Sequence, residues 1–100
     1  MESHDEERLM YKNLQFGNTS NVAHNVKDLN TALKRIELCG SFFRTRPKMI
    51  WEFGELGYDY SINRCEDGTI SNNCRLDKKP IKWDYASVVN RKRVYDILAL

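Results

Sequence analysis

No apolar run in this sequence approaches the roughly 20 residues that a bilayer-spanning helix needs. The opening Met1-Glu2-Ser3-His4-Asp5-Glu6-Glu7 is too acidic for a signal peptide. An intracellular place, nuclear or cytoplasmic, with no membrane partner is therefore expected. Cysteine is scarce: Cys39, Cys65 and Cys74 are the three present, and no two form a CxxC pair, which argues against a disulfide framework and against structural zinc. There is no glycine-rich phosphate loop, no nucleophile elbow and no internal repeat. His4 and His24 stand alone in polar stretches, and Glu52, Glu55 and Glu66 carry no mark of pairing or burial. The absences together predict a protein that is not an enzyme and holds neither a metal nor a cofactor.

What is present suits one globular domain: 100 residues, 41% of them hydrophobic and 30% charged, supply a single modest core. The net charge of +2 hides an uneven distribution. Between Arg75 and Arg93 lie seven basic residues (Arg75, Lys78, Lys79, Lys82, Arg91, Lys92 and Arg93) against the two acids Asp77 and Asp84. Residues 1–8 instead carry four acids and one arginine. Such an asymmetry suits either two different partners or two solvated faces.

Residues 1–21 read as a polar, acidic extension, with a short helix over Glu6 to Leu14 as one option. Residues 22–100 read as the folded domain. Leu29, Ala32, Leu33 and Ile36 repeat at helical spacing and predict a helix from Val26 to Cys39, capped by Asn25 and stopped by Gly40. Met49 to Phe53, Tyr58 to Ile62 and Thr69 to Arg75 then read as three strands. Cys65-Glu66-Asp67-Gly68-Thr69 predicts a three-residue hairpin loop with Gly68 left-handed, so that residue 64 faces 70 and residue 60 faces 74. This register puts Cys65 and Cys74 on opposite faces, as reduced packing residues. Asp77 suits the N-cap of a last helix that begins at Lys78 and tolerates Pro80 in its first turn. The order is α-β-β-β-α: an α+β domain with a three-stranded antiparallel sheet and both helices on one of its faces.

Lys78, Lys79 and Lys82 would then gather at a helix N-terminus, where unpaired amides and the helix dipole already favour anions. Nucleic acid is the leading partner class on that reading. Lys78-Lys79-Pro80-Ile81-Lys82-Trp83-Asp84-Tyr85-Ala86 resembles the Lys-Lys-x-x-Lys-x-x-Ala-Ala opening of the second helix in the double-stranded RNA-binding domain family, and the likeness extends over about residues 25 to 98. The resemblance implies phosphate contacts by Lys78, Lys79 and Lys82 across a major groove, with low sequence specificity. Arg75, Arg91, Lys92 and Arg93 would lend weaker support. The sequence departs from the family at Gly54-Glu55-Leu56-Gly57, where a Gly-Pro-x-His loop is usual, and at Leu76, where glycine is usual.

Those departures imply an alternative: a protein-binding or self-associating module that pairs through the sheet edge or through an aromatic patch of Trp51, Tyr58, Tyr60 and Trp83. A second, shorter likeness lies in Arg91-Lys92-Arg93-Val94-Tyr95-Asp96-Ile97, which resembles the recognition helix of winged-helix cell-cycle transcription factors. That family places a β-wing after the helix, and the sequence ends at Leu100, so Arg91 to Arg93 are read as a basic helical face.

Overall fold

A computed structural model gives the structure of residues 2–42, 47 and 49–100. The clearest helical period in the sequence forms α2 (Leu29–Phe42), whose stripe of Ala32, Leu33 and Ile36 is buried. Its start lies beyond the Asn25 cap that the sequence predicts. Asn25 closes a turn of its own, accepting from the Lys27 amide at 2.9 Å, and Asp28 takes over the capping. The Asp28 carboxylate accepts from the Thr31 amide at 3.0 Å and the Thr31 hydroxyl at 3.1 Å, and these bonds hold its carboxyl below the ordinary aspartate value. Gly40 does not stop the helix. It lets the helix that ends at Leu98 approach, since a Cβ there would sit 2.1 Å from Leu98 Cδ2.

Two further helices complete the core: α1 (Leu9–Phe16) and α3 (Val89–Leu98). Met10 and Val94 meet Ala32, Leu33 and Ile36 in one cluster, with Leu9, Leu14 and Leu98 packed at its edge. Residues 1–21 thus contribute α1 to the core rather than hanging from it. Each large aliphatic side chain in such a cluster is worth about 2–5 kcal/mol when truncated to alanine. Among the described residues no helix is long and apolar enough to cross a membrane.

The expected sheet is not formed, and the α-β-β-β-α architecture falls with it. Among the described residues there is no strand, only one antiparallel bridge between Arg64 and Ile70. The helices consequently pack on each other, α2 against α3 and α1 against α2, rather than on a sheet face. The reason is local to residues 61–63. Glu7 reaches across to accept from the Ser61 hydroxyl at 2.6 Å and the Ile62 amide at 2.8 Å, which removes a ladder donor. Ser61 and Ile62 are adjacent and both buried, which a half-buried strand with alternating faces cannot provide.

The hairpin turn itself closes as read. Cys65 donates to the Thr69 carbonyl at 2.7 Å, and Gly68 is left-handed at φ 93°. Beyond Ile70 the return arm coils into a short 3₁₀ turn, Asn72–Cys74, begun by Ser71, whose hydroxyl accepts from the Asn73 amide. That turn swings Cys74 back onto Cys65. The two form a disulfide, against the expectation of two reduced thiols on opposite faces, while Cys39 is free.

Candidate binding groove

Between Trp51 and Tyr58 the chain turns sharply. Glu52 and Phe53 both adopt positive φ, 23° and 52°, which side-chain-bearing residues rarely do. The Phe53 carbonyl holds the turn by accepting from the Leu56 amide at 2.8 Å and the Tyr58 amide at 3.2 Å. A bulky residue kept left-handed marks backbone strain, which concentrates at functional sites. The turn sets Phe53 edge-on to Trp83, with ring centroids 4.9 Å apart, and against Tyr58 at 6.0 Å.

These aromatics border a groove of about 700 Å³ between residues 4–8, residues 51–53 and the stretch 75–83. Its surface is mainly apolar, drawn from Trp51, Phe53, Ile62, Leu76, Ile81 and Trp83. Leu76 is 95% exposed and Trp83 is 73% exposed, so the apolar wall faces solvent. Tyr58 lies buried behind the groove and donates to the Pro80 carbonyl at 2.6 Å, which fixes the 75–83 wall. Burial, helped by the negative charge of Glu52, pushes the Tyr58 phenol up to about 12.

Charged groups line the same groove. Arg8 is only 3% exposed; its guanidinium donates to the Ser3 carbonyl at 3.2 Å and lies 3.7 Å from the Glu52 carboxylate. Arg75 donates to Asp5 at 3.2 Å. Lys79 donates to the Cys74 carbonyl at 2.9 Å and the Asp77 carbonyl at 2.7 Å, and desolvation holds its ammonium below the usual lysine value. Lys78 is exposed.

The helix N-terminus expected to collect the lysines is absent. Residues 78–82 are not helical; a 3₁₀ segment, Trp83–Ser87, follows, and α3 begins only at Val89. Two physical reasons are visible. Lys79 precedes Pro80, whose ring disfavours helical backbone at the residue before it. The Pro80 carbonyl, which a helix would need as an acceptor, is occupied by Tyr58. Lys82 turns aside to Asp84 at 3.0 Å and lies 4.6 Å from the Tyr85 ring centroid.

The remaining cations are dispersed. Lys92 pairs with Asp96 along α3, and Arg93 reaches Glu37 of α2 at 3.2 Å. Arg91 is buried: it donates to the Leu56 and Gly57 carbonyls and to Asp59 at 2.8 Å, with its guanidinium 3.8 Å from the Tyr85 ring centroid. Tyr85 completes the knot by donating to Asp59 at 2.6 Å. The structure therefore brings Arg75, Lys78 and Lys79 to the groove and leaves Lys82, Arg91, Lys92 and Arg93 outside it.

Of the four aromatics singled out in the sequence, Trp51 and Trp83 line the groove, Tyr58 underlies it, and Tyr60 packs 5.5 Å from Tyr58 without lining it. Sequence reasoning missed Arg8, Phe53, Leu76 and Ile81. A signal did exist for the last two, as large apolar residues amid lysines in a stretch that Pro80 keeps from being helical. Cys65, Cys74 and Asp77 present ligand-type atoms within 4.8 Å of one another, but the joined sulfurs offer no thiolate. Compared with known proteins, the chain matches no protein-family model, and no curated protein matches it in sequence.

Proposed function

We propose that the protein is a non-catalytic binding module that takes an extended segment of a partner protein in the groove between Trp51 and Trp83. The observation that carries this reading is the uncovered apolar wall of Leu76, Ile81 and Trp83 facing the strained Glu52-Phe53 turn. Apolar surface of this kind, rimmed by polar groups, is a usual mark of an interaction site. Aromatic residues at such a site supply much contact area with few rotatable bonds. Selection of a random displayed peptide library against the full chain tests it. Peptides should be recovered whose binding falls at least about tenfold in Trp83→Ala, as expected for a buried aromatic anchor. Failure of the folded protein to select any peptide, or equal binding by the variant, refutes it.

Duplex RNA is the second reading, supported by Lys78, which makes no ion pair among the described residues. A labelled duplex of about 20 base pairs tests it, because binding through phosphates must weaken steeply with salt. Loss of that binding in Lys78→Ala supports the RNA reading; no binding at low salt removes it.

A further inference from the structure

Arg8 is a groove residue whose chemistry the apolar wall does not explain. Its side chain is almost wholly withdrawn from water, yet among the described residues it has one hydrogen bond, to the Ser3 carbonyl, and its Nε finds no partner. A guanidinium carries five N–H donors and is ordinarily buried only with a well-fitted carboxylate. Two carboxylates act on it: that of Glu2, one oxygen of which accepts from the Leu9 amide while the other is buried without a hydrogen-bond partner among the described residues, and that of Glu52, 3.7 Å from the nearest guanidinium nitrogen and 53% exposed, on a residue whose own backbone is strained at φ 23°. That separation exceeds hydrogen-bond reach. Glu52 is thus a loose, solvated counter-ion over a buried charge.

The rest of the groove adds to this imbalance. Asp5 is engaged by Arg75. Lys79 directs its ammonium to backbone carbonyls, which leave its charge uncancelled, and Lys78 is exposed. The lining holds four lysine and arginine residues against three carboxylates. An incoming segment that is apolar alone would cover these charges without answering them, which is costly.

We infer that the groove selects a partner segment in which an aspartate or glutamate lies among apolar residues, its carboxylate taking the place of Glu52 on Arg8. Arginine suits this role because its planar fork accepts a carboxylate at two points. Glu52 acts in the free protein as an internal substitute that the partner's acid displaces. The inference rests on the groove reading above and specifies the partner's chemistry.

The test uses fluorescein-labelled peptide pools with random apolar residues around a central glutamate, glutamine or lysine, titrated into the full chain. The glutamate pool should bind about tenfold more tightly than the glutamine pool, the gain expected of a charge-assisted contact at a desolvated site. Glu52→Gln should tighten binding of the glutamate pool and widen its preference over the glutamine pool. Because Glu52 is half exposed, that variant spares the core, whereas Arg8 variants risk unfolding. Equal binding of the glutamate and glutamine pools, preference for lysine, or no response to Glu52→Gln overturns the inference while leaving an apolar groove in place. Absence of binding by all three pools, or binding indifferent to Trp83→Ala, overturns the groove reading as well.

Discussion

Arg91 of α3 and Asp59 lie 2.8 Å apart, and through them the last helix is fastened to the turn that precedes the groove. The guanidinium also holds the Leu56 and Gly57 carbonyls, so one side chain fixes three backbone or carboxylate acceptors across more than thirty residues of sequence. Asp59 is satisfied on its other oxygen by Tyr85.

Removing one partner of such a buried pair leaves the other charge uncompensated. Arg91→Met or Asp59→Ala should each lower stability by about 3–5 kcal/mol, measured by urea unfolding. The double replacement Arg91→Met with Asp59→Ala should cost less than the sum of the two, since no orphan charge remains. Strict additivity would mean that the two groups do not act as a pair.

The disulfide closes a loop between positions nine residues apart, and short-loop entropy makes it worth about 2–3 kcal/mol. A dithiol reductant should lower the unfolding free energy measured in urea by that amount and leave the helical circular dichroism of α1, α2 and α3 in place, because neither sulfur belongs to their core cluster. Cys65→Ser with Cys74→Ser should reproduce the reduced protein, and Cys39→Ser should not.

Gly57 has φ 69°, and a Cβ there would lie 2.4 Å from Leu33 Cδ2. Gly57→Ala therefore combines left-handed strain with a clash against the core, and should destabilise by about 1–3 kcal/mol. The same replacement at Gly68, left-handed but with nothing among the described residues closer than Arg64 Nη2 at 3.7 Å, should cost about 1 kcal/mol, the backbone part alone. Thermal unfolding of the two variants separates the contributions.

Tyr58 sets an alkaline limit. Burial and then the Glu52 charge raise its phenol from 10.0 to about 12, so the folded state holds the proton more tightly than the unfolded chain does. Its contribution is complete below pH 10 and is lost as pH rises toward 12. Tyr85 is raised too, by burial first and then by its bond to Asp59, and pulls in the same direction. Stability should fall over this range in the wild type and fall less in Tyr58→Phe, as read by urea midpoints at successive pH values.

The parts of the fold legible in the sequence were those governed by neighbours in the chain. The Leu29-to-Ile36 period gave α2, and Gly68 gave the turn that pairs Arg64 with Ile70. The sheet failed because its fate lay elsewhere: Glu7, more than fifty residues away, occupies Ser61 and Ile62, and no local pattern announces that. The lysine helix failed for a reason that was available, the restriction Pro80 places on Lys79. Gly40 was ambiguous because glycine serves both helix ends and close helix contacts, and only the position of Leu98 decides between them. At the groove, Trp51 and Trp83 could be picked out by residue type. The buried, poorly matched Arg8 could not, since burial of a charge is invisible in one dimension.

The bonds of Glu7 to Ser61 and Ile62, and of Asp5 to Arg75, join positions 54, 55 and 70 residues apart. Contacts of such span close late, after local helices have formed, because a long loop must be ordered before they are rewarded. On a ribosome, Asp5 must wait until Arg75 has left the exit tunnel before it finds its partner. A nascent chain can therefore hold α1 and α2 while the groove does not yet exist, and the groove arrives with the final docking step of folding.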